Sequence, residues 1–361
     1  MNIRDAYNAK AIAAVHTEVA SNAIPYLGEG LFPRAKKTSL DLKWVKTKGG
    51  LPVSLKPSAF DTVSTIRSRE GINIQETEMA FFKESMLIKE QDEQDIMRVE
   101  DSADPFAKEV LDRVYSDAET LIAGANVVPE RMRMQLLSAE NGHPGISISA
   151  DGATYVYDYD PNSEYLANNF LDLTAVGATS QWDDVVNSDP IADVSAALDK
   201  VEEATGDRPA LMIVSRKTMD YLKKNAKVKN YILAQNSTAT VIVTDERVKA
   251  VFSSELGVNI IVYTKKYKDE TGATKKFFPD GMATLVPNRP LGKTWFGMTP
   301  DERTLVQNPA IDTKIVDTGI AVHVAISEDP VQTKTTASEI VLPSFEEMDS
   351  TFQIKAYAVA Y

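Results

Sequence analysis

The stretch 104-DPFAKEVLDRVYSDAETLI-122 carries the clearest helical period in the sequence. Phe106, Ala107, Val110, Leu111, Val114, Tyr115, Ala118, Leu121 and Ile122 recur at the 3.6-residue spacing that puts them on one apolar stripe. Asp104 suits the N-cap, where a carboxylate accepts from free backbone N–H groups, and Pro105 suits the first helical position, where its missing N–H loses nothing. The spacing predicts a long helix from 105 that is interrupted near Gly124, resumes after Pro129 and ends at Asn141-Gly142. The sequences on its two sides are unlike, and this contrast shapes the fold class.

Upstream, residues 4–19 place Tyr7, Ala11, Val15 and Val19 four apart, a narrow helical stripe that ends at Ile24-Pro25. Gly28, Gly30 and Pro33 then punctuate the chain, which reads as an extended arm with one short helix. Residues 44–90 hold Gly49-Gly50, Pro52 and Pro57, followed by the alternating run Ile72-Asn73-Ile74-Gln75. Alternation of apolar and polar residues predicts a long hairpin with one covered face.

Downstream, Tyr155, Tyr157 and Tyr159 alternate with polar neighbours as a strand, and the row is read as sheet packing because aromatics are good strand formers. From 190 to 263 helical and apolar segments alternate: a helix from Asp189-Pro190, a buried strand at 210–214, a helix after Ser215, a strand at 240–244, a helix capped by Thr244 or Asp245 and stopped by Gly257, and a strand at 259–263. This order predicts a compact α/β lobe. Asp269 to Gly272 predicts a hairpin turn. Residues 320–326, 340–342 and 352–359 read as strands, so the class is α+β.

With 361 residues, 43% of them hydrophobic, the chain can bury a large core. No cysteine is present, which excludes disulfides, thiol nucleophiles and thiolate metal sites. A net charge of -13 disfavours nonspecific attraction to nucleic acid or anionic lipid. The apolar runs are too short to span a bilayer and the start lacks a signal-peptide pattern, so a soluble protein with no membrane partner is expected. The charge is uneven. Residues 1–56 carry nine basic and four acidic side chains, a net +5, whereas residues 90–119 carry eleven acidic and three basic, a net -8. Either these regions of opposite sign meet, within one chain or between copies, or each is a solvated face.

Catalytic patterns fail on their chemistry. The "GKT" of residues 292–294 ends a phosphate-binding loop only if a glycine stands five residues before its Gly, and Pro287, with a fixed φ and no N–H, stands there. In 28-GEGLFP-33 Pro33 replaces the third glycine of a dinucleotide fingerprint. His16, His143 and His323 lack metal-ligand spacing, and no G-x-S-x-G elbow exists. The adjacent acids Asp183-Asp184, Glu202-Glu203 and Glu346-Glu347 point apart on a strand or helix and read as solvated faces. No catalytic, metal or cofactor residue is nominated, and no cofactor is expected.

A basic arm, a long hairpin, a long helix, an α/β lobe and a closing β segment suit an interlocking shell. The run 66-IRSREG-71 within the hairpin, 267-YKDETGATKKFFPD-280, and the later pair Phe296-Gly297 resemble the major capsid proteins of tailed bacteriophages, in the lambda-like branch called the major capsid protein E family. The resemblance implies the Johnson fold: an N-terminal arm over 1–45, an extended E-loop over 46–92, a peripheral domain with the spine helix over 93–150, an α/β axial domain over 151–299, and a C-terminal β segment over 300–361 shared between the two domains. It places "GKT" in a structural turn of the axial domain. It implies self-assembly as pentamers and hexamers into an icosahedral shell that encloses double-stranded DNA without sequence-specific contact, in a virion assembled in the host cytoplasm.

The expected partners are other copies of the chain, a scaffolding protein, a portal and a decoration protein. No coiled coil precedes the arm, so either a separate scaffold assists, which is expected, or an N-terminal piece is removed before Met1. In the family the arm and E-loop drape over neighbouring subunits, so the expected inter-subunit residues are Lys36, Lys37, Lys43, Lys46, Lys48, Arg67 and Arg69 on the draping side. Asp92, Glu93, Glu100, Asp101, Asp104, Glu109 and Asp112 are expected on the acidic side. The alternatives are an encapsulin-like non-viral shell and a cytoplasmic α/β enzyme or ligand-binding protein built on residues 190–263.

Overall fold

A computed structural model describes residues 25–45, 74–88, 106–150, 153–175, 180–234, 243–307, 313–316, 318–328 and 331–359. In chain order its elements are α1 (Leu27–Leu31), β1 (Arg34–Lys36), β2 (Asp41–Val45), β3 (Ile74–Glu78), β4 (Ala80–Ile88), α2 (Phe106–Leu137), β5 (Gly145–Ala150) and β6 (Ala153–Asp158). Next come α3 (Glu164–Asn168), β7 (Phe170–Asp172), α4 (Pro190–Thr205), β8 (Leu211–Val214), α5 (Arg216–Lys224), α6 (Ala226–Ala234), α7 (Asp245–Leu256), β9 (Asn259–Val262), β10 (Lys266–Lys268) and β11 (Thr274–Lys276). The last are β12 (Met282–Val286), β13 (Thr294–Phe296), α8 (Pro300–Gln307), β14 (Thr313–Val316), β15 (Ile320–Glu328), β16 (Val331–Pro343) and β17 (Phe352–Lys355). The chain divides into two compact units, and neither is one continuous segment.

The first unit comprises the described residues within Met1–Lys43, Glu76–Met132 and Lys293–Ser344. Its sheet runs β1-β13-β16-β15-β14, with β4 also paired to β16. β16 is the spine of that sheet. Thr333 to Val341 pair antiparallel with Ile88 to Ala80, while Ala321 to Glu328 pair with Ser338 to Val331. From Thr335 to Pro343 every β16 residue is buried. Threonines and serines are tolerated there because their hydroxyls find partners, as Ser85 and Thr336 do at 2.9 Å. The sequence shows only 340–342 as apolar, so the reading missed most of this 13-residue strand.

The helix α2 is continuous from Phe106 to Leu137, contrary to the expected break at Gly124 and to an end at 141. Gly124 is exposed, and its cost of about 1 kcal/mol relative to Ala is too small to end a helix fixed by packing. Pro129 removes one intrahelical bond, yet neighbouring Ile122, Glu130 and Met132 are fully buried and hold the helix on course. Asp104 and Pro105 lie outside the described residues. The start of the unit is strapped to this helix: the Gly28 N–H donates to Glu130 Oε1 at 3.1 Å, and Arg34 donates to Asn126 Oδ1 at 2.9 Å. Asn126 and Glu130 are four apart and share a face.

The second unit comprises the described residues within Trp44–Gln75, Arg133–Gly292 and Phe345–Tyr361. Its sheet runs β7-β17-β12-β8-β9, with β12 antiparallel to β17 and β8, and with β8 parallel to β9. Helices α4 to α7 cover it with Val194, Leu198, Leu222, Val248 and Phe252, which join Met212, Val214, Phe352 and the buried Trp182 in one core. The caps are those the sequence offers. Asp189 accepts from Ala192 N with Pro190 behind it, Ser215 accepts from Thr218 N, Thr244 accepts from Arg247 N, and Gly206 and Gly257 close α4 and α7 in the left-handed region. Two helices, α5 and α6, follow Ser215 where one was expected, divided at Asn225. Of the strand expected at 240–244, the described residues Val243 and Thr244 are not strand, because Thr244 serves as the cap; the rest lies outside the described residues.

Candidate assembly surfaces

Among the described residues no group of His, Cys, Asp and Glu could hold a metal, and no helix is long and apolar enough to cross a membrane. His143 lies 3.7 Å from Asp160, whose carboxylate already accepts from the Tyr165 and Leu166 N–H groups. The adjacent acids serve as structural ties: Glu202 pairs with Arg208, and Glu347 accepts from Arg289 at 3.0 Å. In "GKT", Thr294 is the first residue of β13, its N–H bonded to Pro33 O and its hydroxyl to Phe32 O. Lys293 and Thr294 therefore belong to the unit of the six-stranded sheet, and the Lys293 ammonium stands 5.5 Å over the Trp295 ring. The backbone there is committed to strand pairing, which leaves no converging N–H groups for a phosphate.

Strands β1, β4 and β16 are anchored by one helix end. At α8, Thr299 Oγ1 accepts from Glu302 N and presents Asp301 and Glu302 in the first turn. Lys36 of β1 pairs with the buried Glu302 at 2.5 Å, Lys83 of β4 pairs with Asp301 at 3.1 Å, and Ser338 of β16 donates to Asp301 at 2.6 Å. Carboxylates at a helix N-terminus are favoured by the partial positive charge of its free N–H groups. Three separate strands are thus tied to one turn.

This geometry changes the role of one expected contact residue. Lys36 is held within its own chain, so reversing its charge would place two carboxylates together at Glu302. Lys37, half-buried, donates to Asp41 O at 2.9 Å, and Lys43 is exposed. Lys46, Lys48, Arg67, Arg69, Asp92, Glu93, Glu100, Asp101 and Asp104 lie outside the described residues. Glu109 and Asp112 are in the described helix α2. At the base of the expected long hairpin β2 and β3 pair, and β4 continues into the six-stranded sheet.

The sequence pair Phe296-Gly297 has a packing cause. Phe296 is fully buried, and a methyl group at Gly297 would stand 2.7 Å from Ile340 Cγ2 and 3.0 Å from Met79 Cε. The run 267–280 forms the β10–β11 hairpin. The Asp269 carboxylate closes its turn by accepting from Thr271 N, Thr271 Oγ1 and Ala273 N, and Gly272 takes φ +82°. The Thr271 hydroxyl and the Lys275 ammonium hold the Asp269 carboxyl well below the usual carboxylate range. Tyr155 and Tyr157 of β6 stack with ring centres 6.4 Å apart.

Comparisons with known proteins agree with this architecture. No curated protein matches the chain significantly by sequence. A protein assigned as the capsid protein of a prophage in Escherichia coli CFT073 has 15% identity and a TM-score of 0.60, with 97% of this chain and 99% of that chain covered. A phage-related protein of Bordetella bronchiseptica RB50 has 14% identity and a TM-score of 0.54, with 95% and 96% covered. At such identities these structures establish the fold, which is that of tailed-phage major capsid proteins. The family model described as phage major capsid protein E matches residues 8–356, so the chain belongs to the phage major capsid protein E family and is a shell-forming protein.

Proposed function

We propose that the chain assembles as pentamers and hexamers into the icosahedral head of a tailed phage and encloses its double-stranded DNA. The observation that carries this reading is the family match over residues 8–356, nearly the whole length. In this assignment the unit with the five-stranded sheet is the axial domain at the five-fold and six-fold centres. The unit with the six-stranded sheet and most of α2 is the peripheral domain. The role is structural, with no catalytic step. A net charge of -13 suits a container that must later release its genome.

Assembly in the host cytoplasm, with a scaffolding protein, a portal and a decoration protein, completes the proposal. The +5 of residues 1–56 and the -8 of residues 90–119 support attraction between the draping and draped parts of neighbouring copies. Each exposed pair contributes about 0.2–1 kcal/mol, so repetition around the shell supplies the strength. The test is co-expression with the neighbouring genes, followed by size exclusion and negative-stain electron microscopy. Hollow polyhedra, or rings of five and six, are expected. A homogeneous species of one or two chains in the presence of the scaffold would overturn the reading.

A further inference from the structure

The five-stranded sheet of the second unit places two oppositely charged features along one rim. Ile354, Ala283, Val214 and Val262 are aligned by strand pairing across β17, β12, β8 and β9. β17, β8 and β9 run in the same direction, so Ala356, Ser215 and Tyr263 all leave the sheet at that rim. Beyond β9 stands the β10–β11 hairpin. Beyond β17 stands the loop that precedes α4, fixed where Trp182 N donates to Ala356 O at 2.9 Å. Three strand steps separate β17 from β9, about 14 Å at the usual spacing.

The hairpin is closed by its own contacts and one of its faces is cationic. Tyr267 packs on the buried Phe277 with ring centres 4.8 Å apart, and the turn is closed by Asp269. Lys266, Lys268, Thr274 and Lys276 alternate with Tyr267 and Lys275, share the other face and are exposed. Lys276 is bound by both Asp280 oxygens, at 2.8 and 2.7 Å. Among the described residues, the ammonium groups of Lys266 and Lys268 have no ion-pair or hydrogen-bond partner.

The loop across the rim is the complement. Residues 180–189 contain three aspartates, Asp183, Asp184 and the α4 cap Asp189, and no lysine or arginine. The Asn187 side chain and the Asn187 and Val186 N–H groups hold the Asp184 carboxyl below the usual carboxylate range. Asp183 is exposed without a side-chain partner among the described residues, and Val186 beside it is 67% exposed. Lys224 and Lys227 flank the point where Ala226 N meets Val185 O, but they leave these aspartates in excess.

We propose that, in the rings of the shell reading on which this rests, the Lys266–Lys268 face of each copy docks on the Asp183–Val186 loop of the next copy. Two different patches at opposite sides of one rim make a head-to-tail contact, the kind that closes into a ring under rotation. Packaged DNA is the less suitable occupant. A chain of net charge -13 repels phosphate at longer range, whereas the neighbouring copy supplies carboxylates at fixed stoichiometry.

The test compares the full-length chain with K266E/K268E and with K266E/K268E/D183K, each co-expressed with the neighbouring genes and assayed for assembled fraction at low and high salt. Each reversed contact should weaken association about two- to five-fold at low salt, with the difference shrinking at high salt. D183K should recover part of the assembly, since one of the two loop carboxylates then becomes a cation opposite the new glutamates. Undiminished assembly of K266E/K268E would overturn the contact while leaving the shell reading intact. A loss that D183K does not lessen would also overturn it, as would normal assembly with reduced DNA retention, which assigns the lysines to phosphate. Should K266E/K268E melt early, K266A/K268A must show a flattened salt dependence of assembly, and an unchanged dependence sinks the proposal. Failure of the unaltered chain to assemble would instead count against the shell reading.

Discussion

At Gly297 the space for a side chain is already filled by Ile340 and Met79, while its N–H donates to Ile340 O at 2.8 Å. Gly297→Ala should therefore force β13 away from β16, at a cost of about 1–3 kcal/mol, the usual penalty for overpacking. Urea unfolding of the purified chain measures this, and an unchanged midpoint would contradict the packing. The adjacent Phe296 shows how much the sequence discloses at this scale. An aromatic next to a glycine is visible as a pair, but Met79 and Ile340 are separated from it by long stretches of chain, so no local period reveals their contact. The Asp269 turn is the opposite case, because a short polar side chain followed by glycine determines its own geometry.

The end of α2 is decided by distant residues. The last carbonyls of a helix lack intrahelical donors. Here the buried Gln353 amide donates to Leu136 O at 2.8 Å and accepts from Ala139 N at 2.7 Å, while the Thr284 hydroxyl donates to Leu137 O. Gln353→Leu keeps the bulk but leaves Leu136 O and Ala139 N unsatisfied in a dry site, an expected loss of about 2–4 kcal/mol by equilibrium unfolding. A loss below about 0.5 kcal/mol, typical of surface changes, would contradict this account. These partners stand 147 to 217 positions away, which explains why the period of residues 106–122 announced the helix but not its end. The helices of the α/β lobe were more legible, since Asp189, Ser215, Thr244, Gly206 and Gly257 act within a few residues of the backbone they cap. β16 was least legible, because its Thr and Ser residues read as polar until the strands on either side bury them.

For the whole molecule, two units built from interleaved segments explain why local pattern indicated an α+β chain, and the family resemblance a shell protein, without showing which segments pack together. Lys293 to Ser344 belongs to one unit, and the sequence on either side of it belongs to the other. The charge asymmetry was legible as totals. The assignment of Lys36 to an internal partner was not, since Glu302 is 266 residues away. A shell protein is defined by how copies meet, so the most direct measurement is a cryo-electron microscopy reconstruction of particles obtained by co-expression with the neighbouring genes. The account predicts an icosahedral shell with the five-stranded-sheet unit around the five-fold and six-fold axes. Closed particles with that unit away from every axis, or no closed particles at all, would contradict it.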